Sequence, residues 1–263
     1  MNITRTYLDG LLPTLTERDL AITELVGRFK LASGGQIERL FFDHCSDRSR
    51  ARNRQAVVRR LVERQVLAPV GSRRRGGDGG GSAATVYALD VAGQRLVEFT
   101  GTRPRRPYTH YEPTMAHYLL VTELYVRLVE ADRANQLTLL TFEAEPYCWR
   151  SFASRTLKPD AFVQIGVEVG GQRRKGSCFI EIDRADQWGA KISSKLPQYL
   201  AYRDYERPGG RIFPRVLFLT VHERRVAYLT GLVQKQAANS VVFRVGLFDD
   251  ALRLLLGEES AAA

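Results

Sequence analysis

The sequence predicts an α/β protein, α+β overall, built as a basic helical module closed by a β-hairpin and followed by a module on a mixed sheet. Three observations carry this. Helical periodicity recurs three times before residue 66, and strand patterns then alternate with helical ones from residue 114 onward. The charge is also unevenly shared. Of the net +10, residues 1–110 hold 19 Lys+Arg against 11 Asp+Glu, a balance of +8, and residues 111–263 hold 20 against 18, a balance of +2. Pro104, Pro107 and Pro113, with Arg103, Arg105 and Arg106 beside them, mark a linker, so the modules are expected at 1–107 and 108–263.

At 263 residues and 44% hydrophobic content the chain can form two modest cores. No run of about 18 apolar residues occurs, so no membrane partner is expected. The start Met1-Asn2-Ile3-Thr4-Arg5 lacks the apolar segment of a signal peptide, which makes the cytoplasm the expected location. Cys45, Cys148 and Cys178 are far apart and without a C-x-x-C pair, which suggests neither disulfide nor zinc.

The first helix begins at Thr16, an N-cap residue, with Glu17 and Asp19 in its first turn and apolar Leu20, Ile22, Leu25, Val26 and Phe29 at helical spacing. Ser33 opens a second, Gln36 to Phe42, and Arg48 to Gln65 makes a third. On the third, Ala51, Val58, Leu61 and Val62 are the expected core stripe, with Arg52, Asn53, Arg59 and Arg60 away from it. Seven arginines between Arg48 and Arg64 face one acid, Glu63. Such a run is often only a solvated face, but a basic module suits a polyanion, most commonly nucleic acid. Two short strands then flank the loop Arg73-Arg74-Arg75 and Gly76 to Gly81. Three helices followed by this hairpin resemble a winged helix-turn-helix, with Arg48, Arg52, Asn53, Arg59 and Arg60 toward DNA and Arg73, Arg74 and Arg75 on the wing.

After the linker the pattern is a long helix from Thr114, a strand ending at Glu143 and Glu145, and two strands joined near Gly170-Gly171-Gln172. A helix carrying Lys191 and Lys195 follows, then a buried strand from Arg215, a helix from Arg225 and a last strand from Val241. With a side-chain period of two, Asp160 shares a face with Phe162 and Gln164, and Glu181 and Asp183 share one with Phe179. Counting outward from the turn sets Asp160 opposite Glu181 or Asp183. Crowded carboxylates call for a proton, a lysine or a cation, and among cations Mg²⁺ suits all-oxygen ligands. The plainer alternative is solvated charge, with the lysines paired across the surface to Asp183 or Asp186 for a gain of about 0–1 kcal/mol.

Glu145, Pro159-Asp160 and Glu181 on successive strands resemble the PD-(D/E)XK restriction-endonuclease-like fold. A closer resemblance covers nearly the whole chain. The hairpin module, His117 and Glu123 on a helix, Lys158-Pro159-Asp160, Glu181-Ile182-Asp183-Arg184, Lys195-Leu196 and Tyr199 resemble the replication-relaxation family of mobile elements, similar to plasmid mobilisation relaxases. The resemblance implies DNA processing at origins of replication or transfer, with Asp160 and Glu181 holding Mg²⁺ or Mn²⁺ and Glu145 or Asp183 completing the shell. A standard site has lysine two positions after the glutamate; here that position is Asp183, and Lys195, or Lys191 one turn before it, is the expected substitute. The four histidines form no His-x-His pair, so the metal core of a tyrosine relaxase is missing, and no GxxxxGK[ST] motif points to nucleotide hydrolysis. The alternative from another class is a DNA-binding regulator or replication-initiation accessory, its second module serving dimerisation or partner binding. The expected partners are DNA, a second copy of the chain, and replication or conjugation proteins.

Overall fold

The computed structural model describes residues 3–70, 85–98, 112–184, 190–210, 212–237 and 241–257, with the side chains of residues 98, 112, 113, 169, 190 and 191 outside that description. Arg73, Arg74, Arg75 and Asp186 lie outside the described residues, as does the Lys191 side chain. The chain is mixed α/β and divides into two compact units, Met1–Val126 and Arg127–Ala263.

Unit 1 runs α1 (Arg5–Leu11), α2 (Glu17–Phe29), β1 (Ala32–Ser33), α3 (Gly34–Phe41), α4 (Asp47–Glu63), β2 (Leu67–Val70), β3 (Val86–Leu89), α5 (Val91–Glu98) and the first part of α6 (Glu112–Arg133). Local chemistry starts two of these helices. The Thr16 hydroxyl accepts from Asp19 N–H while the Asp19 carboxylate accepts from Thr16 N–H, and Ser33 and Gln36 repeat the arrangement at α3. The small sheet has the order β1-β3-β2, antiparallel throughout. On α4 the buried residues are Arg54, Val58 and Leu61. Ala51, expected in this stripe, is exposed. Arg54 takes the inward position one turn later, because its Nε reaches Glu38 Oε2 on α3 at 2.8 Å.

Unit 2 adds β4 (Thr138–Ala144), a small hairpin of β5 (Arg150–Phe152) and β6 (Arg155–Leu157), then β7 (Ala161–Val169), β8 (Gln172–Asp183), α7 (Ala190–Glu206), β9 (Arg215–Thr220), α8 (Glu223–Ala237), β10 (Phe243–Leu247) and α9 (Ala251–Leu256). The five-stranded sheet has the order β10-β9-β8-β7-β4. β4, β7 and β8 pair antiparallel, whereas β8, β9 and β10 pair parallel. One face carries Phe162, Phe179, Val216, Phe218 and Phe243, packed with Ile192, Leu196, Tyr199 and Tyr202 of α7 and Leu229 of α8. Each such side chain contributes about 1.5–3 kcal/mol by leaving water. Ala161, Val163, Ile165, Ile180 and Ile182 alternate to the opposite face and are buried too. Polar side chains at the ends of β7 and β8 therefore sit beside a packed core.

Candidate active site

Two strand registers meet at the acids. β4 pairs with β7 through Ala144↔Ala161, and β7 with β8 through Ala161↔Ile180. Carried one residue further, these registers bring Glu145, Asp160 and Glu181 into one row, which the bonds Glu145 N–H to Asp160 O (3.3 Å) and Asp160 N–H to Ile180 O (3.0 Å) follow. Asp160 and Glu181 share the face of Phe162 and Phe179, whose rings lie 5.2 Å apart under α7. Both carboxylates are buried, with relative exposures of 9% and 4%.

α7 supplies the counter-charge. Lys195 and Tyr199, one turn apart on a single helix face, both reach Glu181. The Lys195 ammonium donates to Oε2 and lies 3.9 Å from Asp160 Oδ1, and the Tyr199 hydroxyl donates to Oε1 at 2.6 Å. Lys195 also approaches the Lys158 carbonyl at 3.4 Å, and Asp160 Oδ2 accepts from Ile182 N–H at 2.7 Å. One lysine against two carboxylates leaves negative charge in excess. Burial pushes the Glu181 carboxyl up to about 7, with Lys195 opposing and Asp160 reinforcing the rise. Burial works to lower the Lys195 pKa, but the charges of Glu181 and Asp160, the Glu181 hydrogen bond and the charge of Glu145 raise it overall. Burial and Glu181 raise Tyr199 as well, so its hydroxyl remains a donor.

The other expected acids lie differently. Glu145 is half-buried and its charge acts on Lys195, yet no group of three His, Cys, Asp or Glu side chains among the described residues is placed to share one ion. Asp183 is buried and its Oδ2 accepts from Arg225 Nε of α8 at 2.6 Å, so its partner is neither Lys195 nor the acid row. Arg225 carries no sequence signal for this role. Tyr199 is signalled by its spacing from Lys195 and by the resemblance to the replication-relaxation family. Tyr147 and Trp149, exposed on either side of buried Cys148, also border this end of the sheet. Cys148 Sγ donates to Pro159 O at 3.0 Å, and Lys158 Nζ lies 4.6 Å from the Trp149 ring centroid.

In unit 1, Arg48, Arg52, Asn53 and Arg59 of α4 are exposed. Asn53 touches Cys45 Sγ at 3.5 Å, and Arg59 lies 3.8 Å from Glu63, a weak surface pair. Arg60 differs, since its guanidinium binds both oxygens of fully buried Asp19 at 2.6 and 2.8 Å.

A mixed α/β protein with a buried carboxylate–lysine–tyrosine cluster at one end of its central strands is the class these features define. Residues 24–216, well over half the chain and including Asp160, Glu181 and Lys195, match the replication-relaxation family. The chain belongs to that family, which ties it to replication of plasmids or mobile elements. No curated protein and no solved structure matches it. Among the described residues no helix is long and apolar enough to cross a membrane.

Proposed function

We propose that the chain binds DNA through unit 1 and hydrolyses a phosphodiester bond in unit 2, nicking or relaxing DNA at an origin of replication or transfer. The carrying observation is the reach of Lys195 from α7 into the Asp160–Glu181 pair, which supplies from a helix the lysine missing two positions after Glu181. The donor set fits a hard divalent cation in reduced form. Mg²⁺ commonly uses one or two carboxylates with waters and phosphate oxygens, and two buried carboxylates against one ammonium favour added positive charge. Asp160 and Glu181 would hold the ion, with Glu145 contributing through water. When bound, such an ion polarises the phosphate and acidifies an attacking water. Ile182 N–H aims Asp160 and Tyr199 aims Glu181, and Lys195 beside them would stabilise charge on the phosphate.

The helices and three-stranded sheet of unit 1 support reading it as a winged helix, with Arg48, Arg52, Asn53 and Arg59 toward the duplex and Arg73–Arg75 on the wing. A cytoplasmic location, homodimerisation and replication or conjugation partners belong to the same reading. Supercoiled plasmid incubated with Mg²⁺ or Mn²⁺ tests it. Nicked product from the wild type, lost in Asp160→Ala and Glu181→Ala, is expected; no product under any metal sinks the nuclease reading.

One observation favours a second reading, a non-catalytic regulator or replication accessory. Both Glu181 oxygens are already bonded, to Lys195 and Tyr199, as in a structural ion pair. Thermal stabilisation by divalent metal, lost in Asp160→Ala, separates the two.

A further inference from the structure

We propose that the outer half of the β7–β8 hairpin is a second DNA-contact arm, laid against duplex DNA by the charges of Arg173, Arg174 and Lys175. The proposal rests on the DNA-binding reading above and adds a contact site to it in unit 2. β4 pairs with β7 only as far as Gly166, and β9 pairs with β8 only from Cys178 inward. Between these limits β7 and β8 pair with each other, Val167↔Arg174, Glu168↔Arg173 and Val169↔Gln172, and among the described residues no other strand flanks them. The result is a two-stranded ribbon extending past the sheet. Gly170 and Gly171, both at positive φ (58° and 75°), close it with a two-residue turn that glycine adopts without strain, and a Cβ at either would meet nothing within 4 Å.

Residues Gln172 to Lys175 are all exposed, whereas Cys178 to Asp183 on the same strand are buried. Alternation puts Arg173 and Lys175 on one ribbon face and Arg174 on the other. Glu168, across from Arg173, is the one acid between Val167 and Lys175. Among the described residues none of the three cations forms an ion pair, unlike Arg54, Arg60, Arg150 and Arg225, each of which neutralises a carboxylate elsewhere in the fold. A stable protein interface needs an apolar centre. The arm offers charge on an open ribbon instead, which suits a polyphosphate.

The dimensions agree. A two-stranded ribbon is admitted by the major groove, about 12 Å wide, and not by the minor groove, about 6 Å. Gly166 and Glu168, the partners of Lys175 and Arg173, lie six and eight residues from Asp160 along the strand, or about 20–26 Å at ~3.3 Å per residue. That is well over half of the roughly 34–36 Å of one helical turn of DNA. A duplex lying along β7 with its backbone at Asp160 and Glu181 would meet the cations of the arm within one turn.

The test is duplex binding by fluorescence anisotropy across a salt series, with Arg173→Gln/Arg174→Gln/Lys175→Gln and Glu168→Lys beside the wild type. All four side chains are exposed, so melting temperatures should stay at the wild-type value. At a slope of about −0.9 per neutralised phosphate, losing three cations should flatten the log K against log salt plot by about 2–3 and weaken binding roughly ten- to a hundredfold near physiological salt. Glu168→Lys should steepen it by about 1. Wild-type binding with an unchanged slope in the triple variant overturns the arm, and an acidic protein then becomes its partner. If the wild type binds no duplex, the DNA-binding reading fails and the arm falls with it.

Discussion

Replacing Lys195 by Met removes one charge while keeping an unbranched apolar side chain in the same slot. The Lys195 side chain is 16% exposed and faces Glu181 and Asp160, whose side chains are 5% and 13% exposed. Losing one partner of a buried ion pair costs about 3–5 kcal/mol, because the remaining charge stays desolvated. Proton uptake by Glu181, whose carboxyl already stands near 7, returns part of this, so the lower end applies at neutral and mildly acidic pH and the cost grows as the pH rises. A cost of about 3 kcal/mol lowers the melting temperature by roughly 10 °C for a unit of this size.

The assay is a thermal melt in EDTA, repeated with millimolar Mg²⁺ or Mn²⁺. A cation bound between Asp160 and Glu181 replaces the lost charge, and an ion at 100 times its Kd returns about 2.7 kcal/mol. The variant should therefore melt well below the wild type in EDTA and gain more from metal than the wild type does. Adding Glu181→Gln to Lys195→Met should recover stability without metal, since one buried carboxylate then remains. Two results refute the reasoning. A variant melting like the wild type in EDTA shows that the carboxylates do not depend on the lysine, and a variant indifferent to every divalent ion shows that the pair admits no cation.

The remaining expectations use the same geometry. Tyr199→Phe leaves Glu181 Oε1 without its donor and should cost about 1–3 kcal/mol in a denaturant melt, with any nicking reduced rather than abolished. Arg60→Ala leaves fully buried Asp19 unpaired, so it should destabilise unit 1 by about 3–5 kcal/mol, whereas Arg52→Ala and Arg59→Ala should weaken DNA binding in an anisotropy titration without moving the melt. Burial raises the Cys178 thiol to about 11 and raises Cys148 as well, so at pH 8 iodoacetamide should modify half-exposed Cys45 first and the other two only on unfolding, as read by mass spectrometry. The Cys178 contribution to stability is complete below its unfolded pKa of 9.0 and is lost as pH rises through about 11, so a Cys178→Ala chain should show a shallower fall in stability over that window.

What could be read from sequence follows the reach of each interaction. Thr16 and Ser33 were legible as helix starts because a cap acts within one turn, and the structure adds Asp19 and Gln36 as their reciprocal partners. The β7–β8 hairpin was legible because its turn is Gly170-Gly171, and the parity counted from that turn left Asp160 across from Glu181 or Asp183, between which the register selects Glu181. The β5–β6 hairpin has strands of three residues, too few for a period of two to show. Arg54 on the inner stripe of α4 was hidden because residue type argues for solvent there, and only the fold reveals Glu38 opposite it.

Asp183 shows where one-dimensional reasoning stops. Its parity with Glu181 is correct, and parity alone would add it to the acid row. Its partner is set by the parallel pairing of Asp183 with Thr220, which brings the start of α8 and Arg225 alongside, 42 residues further along the chain. The same separation hides Arg60 and Asp19, 41 residues apart. In both pairs a residue type that reads as reactive or DNA-facing is taken up in neutralising a buried charge. Periodicity assigns a side chain to a face, but a buried charge is assigned by its partner, and that partner comes from topology. Lys195 is the informative exception: it partners a buried carboxylate and remains beside a second one, and that surplus of negative charge is why the metal experiments bear on this cluster rather than on Asp183 or Asp19.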